Sequence, residues 1–125
     1  MNMQLPEDLK NLSIYQAALN GNIKVIRQIL ERGECVDVRD GLGRTPLFYA
    51  VQKPQEEAAL LLIDMGAEVN MQDDQGKTPM HVAIFCGQNK MVQLLIEHDA
   101  NLEIKNSMHL SPLSVAVMEG YENIV

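Results

Sequence analysis

Residues 77–87 read KTPMHVAIFCG, which puts Thr78, His81 and Cys86 within nine positions. An imidazole near a thiol is the equipment of nucleophilic catalysis: the base takes the proton and the thiolate attacks. Imidazole and thiolate are also common zinc ligands. His98, His109 and Cys35 extend the set of candidate ligands. Carboxylates stand side by side at Glu56-Glu57 and Asp73-Asp74, the residue type of general acid–base chemistry.

None of these residues falls into a chemical pattern. Cys35 and Cys86 form no CxxC and no metal-ligand spacing, and His98 and His109 lack a companion pattern for zinc. No base follows Cys86 at a useful interval. Adjacent carboxylates face different ways on a helix or turn, so both pairs read as solvated charges and turn formers. No glycine-rich phosphate loop and no GxSxG occur. The expectation is a chain that is not an enzyme and has no metal, no cofactor and no small-molecule ligand.

Composition narrows the class further. The 125 residues are 46% hydrophobic but only 4% aromatic, without Trp, so any core is aliphatic. A net charge of -7 disfavours nucleic acid, whose phosphates need clustered Lys and Arg. Acidity suits either solubility or a basic partner. The opening MNMQLPEDLK is too polar for a signal peptide, and the apolar run at 58–63 is far short of the ~20 residues that span a bilayer. The expected setting is cytoplasmic or otherwise intracellular, with free thiols and no membrane insertion.

The phrase at the start is not unique. TPLFYA, TPMHVA and SPLSVA begin at Thr45, Thr78 and Ser111, each 33 residues after the last, and LSIYQA begins one period earlier at Leu12. Ala17, Ala50, Ala83 and Ala116 keep the same step. So do Gly21, Gly87 and Gly120, with Pro54 as the exception. The second half of the unit recurs as ILERGECVD, LIDMGAEVN and LIEHDANLE. Each copy leads to Asp40, Asp73 or Asn106, and then to Gly43, Gly76 or His109.

One unit can be read physically. In DDQGKTP, Asp and Gly favour a tight turn, and Thr78 precedes Pro79 as a helix cap. A first helix is predicted over 79–86, with Met80, Ala83 and Ile84 on one face, and Gly87 ends it. A second helix is predicted over 89–98, apolar on more than half its circumference through Met91, Val92, Leu94, Leu95 and Ile96. A loop over 99–106 returns the chain to the next turn. One such pair cannot bury both faces, so the copies must stack.

The period and the TPMHVA and TPLFYA phrases resemble the ankyrin repeat family, over residues 9–125. The resemblance implies an all-α solenoid of about three and a half to four stacked helix–turn–helix pairs with projecting β-turn fingers. The divisions are a capping segment at 1–8, a divergent cap-like repeat at 9–41, repeats at 42–74 and 75–107, and a partial repeat at 108–125. The resemblance also gives His81 a structural role, in hydrogen bonds within and between repeats. Its equivalents are Tyr15, Phe48 and Ser114.

Departures from the pattern carry expectations of their own. Leu12-Ser13 replaces Thr-Pro, and Gln28 stands where Leu61 and Leu94 follow, as suits a capping unit. Residues 1–11 are expected to cover that end. Lys53, before Pro54, is pushed towards extended geometry. His98-Asp99 replaces a Gly-Ala, so Asp99 needs a left-handed backbone. The fourth unit stops at Val125, which suggests a fragment or an end covered by a partner.

The family's mode of action implies another protein as partner, bound through a concave face and the fingertips. By position, this selects Leu42, Arg44, Asp74, Gln75, Lys77, Met108 and Leu110 on the fingers, and Leu19, Gln52, Lys53, Phe85, Cys86 and Met118 on the first helices. The column Leu19, Gln52, Phe85, Met118 is apolar at three of four positions, an interface signature on a surface. Asn70 ends the G-A-x-V-N phrase and is a candidate for hydroxylation. Two alternatives stand beside the interaction module: an immunity or antitoxin-type inhibitor that occludes a toxin or nuclease, and the targeting module of a larger enzyme.

Overall fold

A computed structural model describes residues 13–120. Within it the chain forms seven helices and, among the described residues, no strand. They are α1 (Ile14–Asn20), α2 (Ile23–Glu31), α3 (Pro46–Gln52), α4 (Glu56–Asp64), α5 (Pro79–Phe85), α6 (Asn89–Glu97) and α7 (Pro112–Glu119). Residues 1–12, which hold the expected capping segment at 1–8 and the start of the first repeat, and residues 121–125 lie outside the described residues.

Helices α1 and α2, α3 and α4, and α5 and α6 pack as pairs. The first helices α1, α3, α5 and α7 pack in series, and α2 packs on α4. The alanine column explains how closely the first helices approach. Ala17, Ala50, Ala83 and Ala116 are all fully buried, so no large side chain separates neighbouring units. Leu47, Val51, Met80 and Ile84 fill the space beside them, again without exposure. From the second helices come Ile26, Leu62, Met91 and Leu95. At ~25 cal/mol per Å² of apolar surface buried, these contacts between units are the main stabilising term.

The helix starts follow the threonines. Thr78 is extended (φ -102°, ψ 166°) and its hydroxyl accepts from the His81 N–H, with Pro79 just inside the helix. Ser111 caps α7 in the same way, accepting from the Ser114 N–H at 3.1 Å. In the first unit the cap shifts by one residue, from Leu12 to Ser13. In return Gln16 Oε1 accepts from the Ser13 N–H, so a capping box replaces the missing Thr-Pro.

The turn between paired helices survives Pro54. Gly21 and Gly87 take left-handed φ values of 71° and 70°. Pro54 has neither that freedom nor an N–H to give, and Lys53 adopts φ -121°, ψ 85°, the extended bias expected before proline. The closing bond of the turn is nevertheless kept: Asn22 N–H to Ala17 O, Gln55 N–H to Ala50 O and Gln88 N–H to Ala83 O span 2.8–3.0 Å.

Asp99 is left-handed, with φ 69°. The register aligns it with Gly33 and Gly66, and Ala100 with Ala67. Only the glycine of the Gly-Ala pair is therefore replaced, one position later than the sequence suggests. His109 is left-handed as well (φ 64°), at the position of Gly43 and Gly76.

Candidate functional site

Three fingers are built on one device. In each, a carboxylate or amide oxygen at the start of the turn accepts two backbone N–H groups. Asp40 Oδ1 takes Leu42 and Arg44 at 2.9 and 3.0 Å. Asp73 Oδ1 takes Gln75 and Lys77, both at 2.9 Å. Asn106 Oδ1 takes Met108 and Leu110 at 2.9 and 3.0 Å. An amide oxygen serves as well as a carboxylate, which is why the position tolerates Asn.

Neighbouring fingers are then tied backbone to backbone. Asp74 N–H donates to Leu42 O at 3.0 Å, and Ser107 N–H to Gln75 O at 2.8 Å. This close approach explains the glycines. A Cβ on Gly43 would meet Asp74 atoms at 2.3–2.9 Å, and one on Gly76 the Ser107 and Asn106 backbone at 3.0–3.2 Å. Side chains add links one period long, from Arg39 to Gln72 O and from Gln72 to Lys105 O.

Asp73 corrects one expectation. The Asp73-Asp74 pair reads in sequence as solvated charges and turn formers; Asp73 does form the turn and Asp74 is exposed, but Asp73 is buried rather than solvated. Its Oδ2 lies 3.5 Å from Arg44 Nε, an ion pair between consecutive fingers. Arg44 is thus held against its neighbour rather than projecting freely. Glu56 and Glu57 are exposed in the first turn of α4, where the helix dipole favours negative charge.

His81 is buried and fully engaged. Nδ1 accepts from the Thr78 N–H at 3.0 Å, which leaves Nε2 to carry the proton and donate to Leu110 O at 2.9 Å. Burial pushes its pKa below the usual value, against the opposing pull of the Leu110 carbonyl and Asp73. A ring committed at both nitrogens to structure has no free nitrogen for a metal or a thiol. Cys86 is exposed at the end of α5, and no group of three or more His, Cys, Asp or Glu is placed to hold a metal among the described residues. Phe48 and Tyr15 occupy the equivalent positions without an imidazole, so the Thr45 hydroxyl is buried with no partner.

Asn70 spans two loops. Its side-chain oxygen accepts from Asn101 N–H at 2.8 Å and its amide donates to Asp99 O at 3.4 Å.

Between the fingers and the first helices lies a groove of about 460 Å³. Arg44, Lys77, Met108 and Leu110 form its finger side, and Gln52, Phe85, Cys86 and Met118 its helix side. All eight are positions that the sequence selects. Phe85 is 75% exposed, Met108 74% and Met118 69%, large apolar groups left in contact with water. Leu19, Leu42, Lys53, Asp74 and Gln75 do not line the groove. Leu42 is an exposed fingertip and Leu19 is half-buried, its carbonyl accepting from Gln55 at 3.1 Å. Sequence position alone missed the floor, Val82 and Val115, together with Asn106 and one edge of His81. Val82 and Val115 share one column with Tyr49, each 33 residues from the last, but the period does not show which columns border a cavity.

No helix among the described residues is long and apolar enough to cross a membrane. A family model for ankyrin repeats in three copies matches residues 2–73 and 55–125. Among curated proteins, the chain is similar to the ankyrin repeat domain-containing protein oryK of Aspergillus oryzae, 41% identical over 54 residues. The aligned stretch is 43% of this chain and covers 9% of that much longer protein.

Proposed function

The chain belongs to the ankyrin repeat family, and from that premise we propose that its groove docks another protein and performs no chemistry. Ankyrin repeats are generally protein-interaction modules. The observation that carries the reading is the exposure of Phe85, Met108 and Met118 around one concavity. Large apolar side chains clustered in a concave site lose water on docking, and such residues supply most of an interface's energy. The surrounding geometry is stiff, because each finger is hydrogen-bonded to the next. A pre-formed surface avoids the ordering cost that a flexible one meets on binding.

The test is affinity capture with the intact chain and with a Phe85→Ala, Met118→Ala double variant. A protein retained by the first and released by the second, at unchanged melting temperature, supports docking. Equal loss of capture and of thermal stability identifies the stripe as structural instead.

A further inference from the structure

We infer that the partner presents an acidic, apolar segment: an aliphatic or aromatic anchor with a carboxylate a few residues away. This rests on the docking reading above and adds the partner's chemistry.

The groove changes character along the stack. On the finger side, Arg44, Lys77 and Leu110 stand one period apart, two cations followed by an apolar residue. On the helix side, Gln52, Phe85 and Met118 run in the same order from polar to apolar. One end is therefore cationic and the other greasy, within a chain of net charge -7. The two cations are not equal. Arg44 is partly neutralised by Asp73, 3.5 Å from its Nε. Lys77 is half-buried, and no carboxylate among the described residues lies within ion-pair distance of it. Asp73, at the start of the same finger, spends one oxygen on the Gln75 and Lys77 N–H groups and turns the other to Arg44.

A lysine that meets no carboxylate among the described residues is a place where an incoming carboxylate gains. At the opposite end Glu119 lines the groove and repels a second carboxylate there. The pair orients the segment: its acidic residue lies towards Lys77 and its apolar anchor between Phe85 and Met118. A groove of about 460 Å³ has room for a few side chains of one segment.

The experiment is selection of a displayed random library, peptides of about a dozen residues, on the full chain. Dissociation constants of the selected peptides are then measured by fluorescence anisotropy against wild type, Phe85→Ala, Lys77→Met and Lys77→Glu, with circular dichroism to confirm folding. The expected peptides carry Asp or Glu near an aromatic or aliphatic anchor. Phe85→Ala and Lys77→Glu each weaken them about tenfold or more, and Lys77→Met a few-fold. Affinity should also fall as salt rises from ~50 to ~300 mM. Peptides that need Phe85 but lack acidic residues, or that bind Lys77→Glu as well as wild type, overturn the acidic partner and leave the docking reading standing. If no selected peptide depends on Phe85, both fall.

Discussion

His81 donates from Nε2 to the carbonyl of Leu110, 2.9 Å away and 29 residues on, while its Nδ1 closes the cap of its own helix. One neutral ring thereby couples α5 to the finger that precedes α7. A proton added at Nδ1 would face the Thr78 N–H and break the cap. Burial lowers the folded pKa below the ordinary 6.5, so folding favours the neutral form. The contribution is complete above pH 6.5 and is lost as the pH falls through the lower folded value. Urea midpoints measured between pH 7.5 and 5 should therefore fall more steeply for wild type than for His81→Gln. Parallel profiles would show that the ring titrates without consequence.

Thr45 and Thr78 occupy the same position one period apart, and both are fully buried. Only Thr78 has a histidine to meet, and its hydroxyl lies 2.9 Å from His81 Nδ1. Phe48 stands at the equivalent position after Thr45, and the Thr45 hydroxyl has no partner. Thr78→Val should cost about 1–2 kcal/mol, the usual value of a lost cap. Thr45→Val should lie within about 0.5 kcal/mol of wild type or be more stable, since it removes an unsatisfied buried polar group. Chemical denaturation of the two variants separates them, and equal costs would mean that the Thr45 hydroxyl has a partner in solution.

The left-handed residues make a second matched set. His109 and Asp99 hold φ values of 64° and 69° at positions where other repeats use glycine. His109→Gly and Asp99→Gly should each stabilise the chain, by up to about 1 kcal/mol, as backbone strain is relieved. Gly76→Ala should act in the opposite sense and more strongly. It meets the same φ penalty, and its Cβ also lands 3.0–3.2 Å from the Ser107 and Asn106 backbone, which cannot move without breaking the finger ladder. Melting temperatures of the three variants check the signs, and a stabilising Gly76→Ala would be incompatible with the ladder of hydrogen bonds between fingers.

The columns of the stack were legible in the sequence because the period is unbroken. Thr78 as cap, Ala83 at the helix contact and Asp99 as a left-handed residue all follow from one aligned unit. Enclosure was not legible. Whether a column borders a cavity depends on how far the fingers lean over the first helices, a tertiary quantity that no local pattern encodes. Hence Val82 and Val115, which no motif singles out, line the groove, while Leu42, Asp74 and Gln75 stay outside. Asp73 was misjudged for a related reason. It pairs with Arg44 of the preceding finger, and contact across units is visible only once the units are stacked.

Tyr49 offers a test at alkaline pH. Its hydroxyl donates to Asp40 Oδ2, and its ring packs edge-on against Tyr15 at 5.7 Å between centroids. Burial and the Asp40 carboxylate push its pKa up to about 12, because a phenolate would lose the donor and face a negative charge. Asp40 is held below its usual range despite some desolvation, by the Tyr49 hydroxyl, the two finger N–H groups and the Arg44 guanidinium. For an acid with a raised pKa, the stabilisation is complete below the ordinary value of 10.0 and is lost as the pH climbs through about 12. Tyr49→Phe should cost about 1 kcal/mol at neutral pH, the net worth of a hydrogen bond to a partly solvated acceptor. Ultraviolet titration of the tyrosinates should show the highest step removed in Tyr49→Phe and shifted down in Asp40→Asn. If Asp40→Asn leaves that step in place, burial alone raises Tyr49 and the carboxylate contributes nothing to it.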